Sequence, residues 1–323
     1  ATDAIISADK RGVIESWNKA AEKIFGYTEQ EAIGQKLEII IPTKHHKDHQ
    51  IGMKRVLGGG EKKAIGRVIE LEGQHKNGEL FPIELALSVF EGKDGLNFSG
   101  VIRDITERKE LEEILLKAKQ RMEDELNVAK DIQMSMLPLI FPAFPKREEI
   151  EIYAELIPAR EVGGDFYDFY FLDENHLCFV MADVSGKGVP AALMMAVTKT
   201  LLKSRASNDK STASILTDVN NEIAKDNDSY MFITVFMAIL NTNTGELVYS
   251  NAGHNPSYII SKENKKLTKL TDLHGPVIGA MEGMTYGETR LFLKKNDIIF
   301  SYTDGVTESH NINEELYSDP RLE

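Results

Sequence analysis

Val180-Met181-Ala182-Asp183-Val184-Ser185-Gly186-Lys187-Gly188 carries an apolar, strand-like run into an aspartate and then into a glycine-rich turn. Such a pattern delivers one carboxylate to a sheet edge, and the glycines behind it let backbone, water and ligand approach closely. The arrangement recurs on both sides. Upstream, Glu161-Val162-Gly163-Gly164-Asp165-Phe166-Tyr167-Asp168 sets an aspartate beside two glycines. Downstream, Ser301-Tyr302-Thr303-Asp304-Gly305-Val306 repeats the theme. Each alone has a plain reading as a turn. As an ordered set, Asp165, Asp183 and Asp304 are candidate catalytic carboxylates and metal ligands. Hard divalent cations take oxygen donors, and Mg or Mn keeps several waters. Two such ions a few ångströms apart share one water, lower its pKa and hold a phosphoryl oxygen.

Around these motifs, residues 138–323 alternate strands and helices. Strand-like runs are expected at 150–157, 176–181, 232–240, 247–250, 257–260 and 298–302, with helices at 190–204 and 212–224. The pattern is mixed α/β without dinucleotide-binding spacing.

Residues 106–137 form one helical pattern with no Gly or Pro before Pro138. Leu111, Leu115, Ala118 and Met122 alternate steps of four and three, as a coiled-coil seam requires. The next seam position is the charged Glu125, and the apolar stripe resumes at Leu126, Ala129, Ile132 and Met136. We read the extra step of four as a stutter. The first half of the helix is expected to pair two chains in parallel; the second half is open between that and packing on its own domain.

Residues 1–105 read as α+β. Short strands at 4–6 and 13–14 flank Asp9-Lys10-Arg11-Gly12, a turn sequence. A helix follows with Ala20, Ala21, Ile24 and Phe25 on one face and Gly26 at its end. A polar helix is expected at 45–57, then strands at 65–72, 80–89 and 98–102, the first two joined by Asn77-Gly78. Trp17-Asn18, Ala21-Glu22, Phe25-Gly26-Tyr27, Glu31, Gly34, Lys76-Asn77-Gly78, Phe81-Pro82 and the closing Arg103-Asp104-Ile105-Thr106-Glu107-Arg108 resemble a PAS domain over the whole segment. The resemblance implies a five-stranded antiparallel sheet with flanking helices, leading into a helical output linker. His49 stands where oxygen-sensing PAS domains carry their haem ligand, so it is the candidate cofactor-binding residue; Ile69 stands where those sensors carry an arginine. A PAS core without cofactor, used for dimerisation or protein sensing, is the default expectation.

Lys+Arg 38 against Asp+Glu 51 gives a net charge of -13, which argues against nucleic acid as a partner, since that demands a basic face. No apolar stretch approaches the roughly 20 residues of a membrane span, and no signal peptide is visible. The single cysteine, Cys178, excludes an intrachain disulfide and fits a reducing, cytoplasmic setting. Because Ala1 already reads as strand, further residues are expected before it.

The ordered motifs resemble the bacterial phosphatases related to the stage II sporulation E protein, which are metal-dependent serine/threonine phosphatases of type 2C. The motifs are Glu125-Leu126, Ala129, Ile132-Gln133, Met136-Leu137-Pro138, Val162 to Asp168, Asp183 to Gly188 with Ala191-Ala192-Leu193-Met194, Asn251-Ala252-Gly253-His254-Asn255-Pro256 and Tyr302 to Glu308. The resemblance covers nearly all of 125–317. It implies an αββα sandwich with two Mn or Mg ions. Asp183 would bridge the ions, the Val184 carbonyl and Asp165 would add ligands, and Asp304 would hold a metal from the far strand. The nucleophile would be a metal-bound water, the substrate a phosphoserine on a STAS-type anti-sigma-factor antagonist, and the assembly a homodimer through linker and PAS domain. His254 looks structural. Relatives continue into a further strand with another metal-binding aspartate, which this sequence lacks.

The whole reads as a PAS sensor at 1–105, a linker at 106–137 and a phosphatase domain at 138–323. The rivals are weaker. A diguanylate cyclase shares Gly163-Gly164-Asp165, but its signature needs Glu next, and Phe166 follows directly. A phosphate-binding loop at Gly186-Lys187 fails because Gly188 replaces Ser or Thr. A non-catalytic phosphatase-like binding module stays open.

Overall fold

The computed structural model describes residues 2–60, 65–92, 95–263 and 265–323, so Ala1 lies outside the described residues. Packing divides the chain into two compact units between Arg121 and Met122, inside one helix.

In the first unit, β1 (Ala4–Ala8), β2 (Ile14–Trp17), β3 (Val68–Gln74), β4 (Leu80–Gly92) and β5 (Gly95–Asp104) form an antiparallel sheet of order β2-β1-β5-β4-β3. Alternation decides which face is buried: Ala4, Ile6 and Ala8 point inward. Asn18 starts α1 (Lys19–Phe25) by accepting from the Ala21 N–H at 2.9 Å. Gly26 ends it at φ 79°, where a Cβ would lie 2.4 Å from His75 Nε2, so only glycine fits. Thr28 and Glu31 form a capping box around α2 (Glu29–Ala32). Trp17, Phe25 and Phe81 pack as tilted rings, with centroids 5.8 and 5.6 Å apart in turn. The polar helix α3 (His46–Leu57) lies where the sequence puts it, and it buries none of its residues fully.

Helix α4 (Thr106–Ser135) is continuous across the division between the units. Asp104 Oδ1 accepts from the Thr106 N–H at 2.9 Å. Arg108 reaches Glu84 at 2.5 Å and Glu70 at 2.7 Å, tying the first turn to β4 and β3. Leu111, Leu115 and Met122 are 60%, 70% and 65% exposed, so the expected seam has little apolar cover among the described residues.

In the second unit the large sheet has the order β12-β9-β8-β7-β6. Its strands are β6 (Phe166–Phe171), β7 (His176–Val184), β8 (Ile233–Asn241), β9 (Glu246–Ala252) and β12 (Thr289–Phe292). The helices α5 (Val189–Arg205) and α6 (Thr212–Lys225) cover one face through Ala191, Met195, Leu202, Ile215, Leu216 and Val219. On the other face Phe236, Ala238, Leu247 and Tyr249 meet Ile259 and Leu270 of a smaller sheet. That sheet runs β11 (Leu267–Lys269), β10 (Tyr258–Ile260), β13 (Ile298–Phe300). Beyond β13 come two one-turn helices, α7 (Asp304–Thr307) and α8 (Asp319–Leu322). Helices on one face and a second sheet on the other bury β7 and β8 on both sides, which is why their sequences are apolar almost throughout.

Three expectations need correction. Residues 150–157 are not a strand: Ile152, Ala154 and Leu156 pack on the core, but among the described residues no backbone ladder reaches this segment. Phe166–Phe171, absent from the expected strands, is the edge strand β6. In the second half of α4, Ile132 is 61% exposed, while Gln133 and Leu137 are buried. At the end of the helix Gln133 thus takes the buried place expected of Ile132, while Leu126, Ala129 and Met136 of the expected stripe stay half-buried; a glutamine amide can enter a core that offers it backbone partners.

Candidate metal centre

The ladder between β6 and β7 pairs Phe166 with Ala182. Asp165 therefore follows directly alongside Asp183, the penultimate residue of β7. Asp304 opens α7, one turn after the end of β13. Three distant stretches of sequence thus converge, and the observable sign is electrostatic. Burial first, then a hydrogen bond to Asp165 and the negative charges of Asp165, Asp304 and Glu308, push the Asp183 carboxyl up to about 8. Asp304 is held above the usual carboxylate range by burial and by Glu308 and Asp165, with the Gly305 N–H and Lys187 pulling the other way. The Thr303 hydroxyl donates to Asp165 Oδ2 at 2.6 Å and fixes that side chain. The Val184 carbonyl faces the same loop: a Cβ on Gly164 would stand 2.7 Å from it, so glycine is required there for close approach.

These donors are hard oxygens of one sign, the set a divalent cation takes and a buried hydrogen-bond network does not tolerate. As placed, no three His, Cys, Asp or Glu side chains among the described residues converge tightly enough to ligate one ion together. The pair Asp165 and Asp183 is the tight element, with Asp304 and Glu308 felt through their charge. That still fits Mg or Mn, which bind through one or two carboxylates and keep water in the other positions. The residues present fit such an ion.

Two neighbours lie in the motifs quoted above but receive no site role from the sequence alone. Glu308 lies one helical turn after Asp304, an i,i+4 spacing visible in the sequence. Gln133 of α4 donates from Nε2 to the Gly163 carbonyl at 2.6 Å and accepts from the Gly163 N–H at 3.2 Å. Ile132-Gln133 stands among those motifs, but its spacing gives no hint of a bond to Gly163.

His254 is buried, with Nδ1 2.8 Å from Thr234 Oγ1, and burial pushes its pKa down to about 4 against the pull of the Tyr302 backbone and Asp165. It is neutral at physiological pH and braces β8 near the cluster. Cys178 is fully buried, and burial pushes its thiol up to about 12, so it offers no nucleophile.

In the first unit a cavity of about 400 Å³ opens between the sheet and α3, lined by Ile6, Leu37, Ile40, Ile83, Phe98 and Ile102, with His45, Asp48, His49 and Glu72 also on its wall. His49 Nδ1 is buried without a hydrogen-bond partner, and desolvation lowers its pKa. A free imidazole nitrogen in an apolar cavity is what an axial haem ligand requires. The rest of the wall does not fit haem. Among the described lining residues there is no Lys or Arg for the two propionates, whereas Asp48 and Glu72 carry the same sign as they do. As it stands this wall does not fit haem, and no haem role is assigned to His49.

Among the described residues, no helix is long and apolar enough to cross a membrane. Residues 173–323 match the stage II sporulation protein E family, and residues 2–107 match the PAS domain family. The chain is 31% identical over 60% of its length to the phosphoserine phosphatase RsbU of Bacillus subtilis, covering 56% of that protein. It is 30% identical over 61% of its length to protein IcfG of Synechocystis, covering 35% of it. The chain thus spans little more than half of the first relative and about a third of the second. The SiaA-PP2C domain of Pseudomonas aeruginosa superposes with a TM-score of 0.53 at 19% identity, over 64% of this chain and 81% of that one, and this likeness bears on fold. A PAS domain at the N-terminus and a stage II sporulation E domain of the type 2C phosphatase fold at the C-terminus are joined by α4.

Proposed function

We propose that residues 138–323 act as a protein serine/threonine phosphatase whose substrate is phosphoserine on a STAS-type anti-sigma-factor antagonist, and that the PAS domain at 1–105 regulates it through the helix at 106–137. The observation that carries this reading is the convergence of Asp165 and Asp183, with Asp304 beside them, at the end of an otherwise apolar sheet. The likeness to a phosphoserine phosphatase supports the substrate class.

When bound, two Mn or Mg ions supply an activated water and Lewis-acid stabilisation of the phosphoryl oxygens. Asp183, Asp165, Asp304 and the Val184 carbonyl would be the protein groups that hold them. Thr303 keeps Asp165 oriented, and neutral His254 keeps β8 in place through Thr234 without adding positive charge. The exposed residues Leu111, Leu115 and Met122 support a homodimer through the first half of α4. The single buried cysteine suits the cytoplasm.

The test is hydrolysis of a phosphoserine protein with and without Mn²⁺, with Mn²⁺ binding followed by calorimetry. Activity that needs Mn²⁺ and tight uptake of at least one ion is expected. Hydrolysis unaffected by chelator, or no uptake of Mn²⁺ or Mg²⁺, overturns the reading.

A further inference from the structure

Residues 149–164 approach the cluster with little to hold them. Ile152, Ala154 and Leu156 point into the core, yet among the described residues this segment makes no backbone-to-backbone hydrogen bond. At its far end the peptide groups of Gly163 are taken by a side chain instead. Gln133 is 6% exposed, and its amide pairs with both the N–H and the carbonyl of Gly163, at 3.2 and 2.6 Å. A primary amide carries a donor and an acceptor side by side, so it reproduces the doubly bonded pair of an antiparallel ladder. Next in sequence, Gly164 is pressed against the Val184 carbonyl and Ala191 at the start of α5, and then comes Asp165. Gln133 itself sits in the last turn of α4, between Met134, which packs on the core, and the exposed Ile132.

We infer that Gln133 is a positioning residue for Asp165, and that the last turn of α4 thereby sets how tightly the carboxylate cluster takes a divalent cation; this rests on the metal reading above. No other side chain on α4 could do the same by substitution alone. Asn is a methylene too short, Glu can accept but not donate when ionised, and Met can do neither. A shift of α4 by a fraction of a turn releases Gly163 and leaves Asp165 held by Thr303, by Asp183 and by the strand that follows it. Groups that orient a metal ligand from behind typically change metal affinity ten- to a hundredfold when removed.

The experiment compares full-length wild type, Gln133→Met and Gln133→Glu. Mn²⁺ binding is measured by the loss of the free-ion electron paramagnetic resonance signal, and amide exchange is followed at Gly163 to Phe166. Gln133→Met keeps chain length and helix propensity; should it melt below the assay temperature, Gln133→Glu supplies the comparison. Expected are Mn²⁺ binding weakened about tenfold or more, faster exchange at Gly163, and turnover that recovers towards wild type at saturating Mn²⁺. A general loss of stability would depress turnover at every Mn²⁺ concentration, and that result overturns the inference. Equal Mn²⁺ affinity in wild type and variants overturns it as well, while the metal reading stands. Wild type that binds no divalent cation overturns the metal reading, and the inference falls with it.

Discussion

Asp165 and Asp168 are separated by two residues and meet opposite fates. Asp168 is buried within β6 and pairs with the equally buried Lys199 of α5. Asp165, just before the strand begins, lies against a second aspartate and within the field of two more carboxylates. The first arrangement is complete in itself: one carboxylate, one ammonium, both sealed from water. The second gathers like charges that the proposed cation would neutralise. Burial of charge therefore separates a structural element from a site by one criterion, whether the neighbours neutralise it.

The sharpest way to break this contrast is Asp183→Asn. Activity should fall about ten-thousandfold, roughly 5 kcal/mol of barrier, while the melting temperature without divalent cation should rise above about pH 8, where the buried Asp183 carboxyl would otherwise be charged among like charges. Activity comparable to wild type at saturating Mn²⁺ would sink the assignment. Lys199→Met tests the other member. Leaving Asp168 buried without its partner should cost about 3–5 kcal/mol in chemical denaturation, and the double change Asp168→Asn with Lys199→Met should recover part of it. A Lys199→Met protein as stable as wild type would place the pair among ornamental contacts.

A third kind of buried group lies between the two. His254 is held neutral, with a folded pKa of about 4 against about 6.5 in the unfolded chain. Its stabilising contribution is full above the unfolded value and is lost as pH falls from about 6.5 through 4, because only the unfolded state takes the proton in that window. The loss amounts to about 3 kcal/mol. His254→Gln should flatten the stability profile of this unit in that range relative to wild type; parallel profiles would contradict the shift. Smallest of all, Leu115→Asn at an exposed seam position should weaken self-association by about 1–2 kcal/mol per chain, read by sedimentation across a dilution series. An unchanged profile would remove the seam from the dimer.

Where a residue's role depends on its own neighbours in sequence, the sequence disclosed it. Alternation placed the strands of the PAS sheet, Gly26 closed α1, and helical spacing placed α5 and α6 within a residue or two. The three aspartates stood out because glycines flank them. What stayed hidden depends on partners far along the chain. Phe166–Phe171 looks like the tail of a glycine loop until β7 pairs with it. Residues 150–157 show a strand's alternation, but alternation predicts an extended backbone with one buried face, not a ladder. Gln133 reads as a polar helix position, and only the fold reveals the open peptide of Gly163 behind it.

That unladdered segment has a consequence for register. Its inward set, Ile152, Ala154 and Leu156, repeats every two residues, and the positions on either side, Ile150 and Pro158, are apolar too. A slide by two residues therefore keeps greasy side chains facing the core, and a cross-strand ladder that would forbid it is lacking among the described residues. Such a slide moves the chain by about 7 Å, far more than a metal site tolerates. The Gly163 peptide, gripped from α4, works as a bookmark: it fixes which of several equally comfortable alignments the segment adopts, and so which residue arrives beside Asp183.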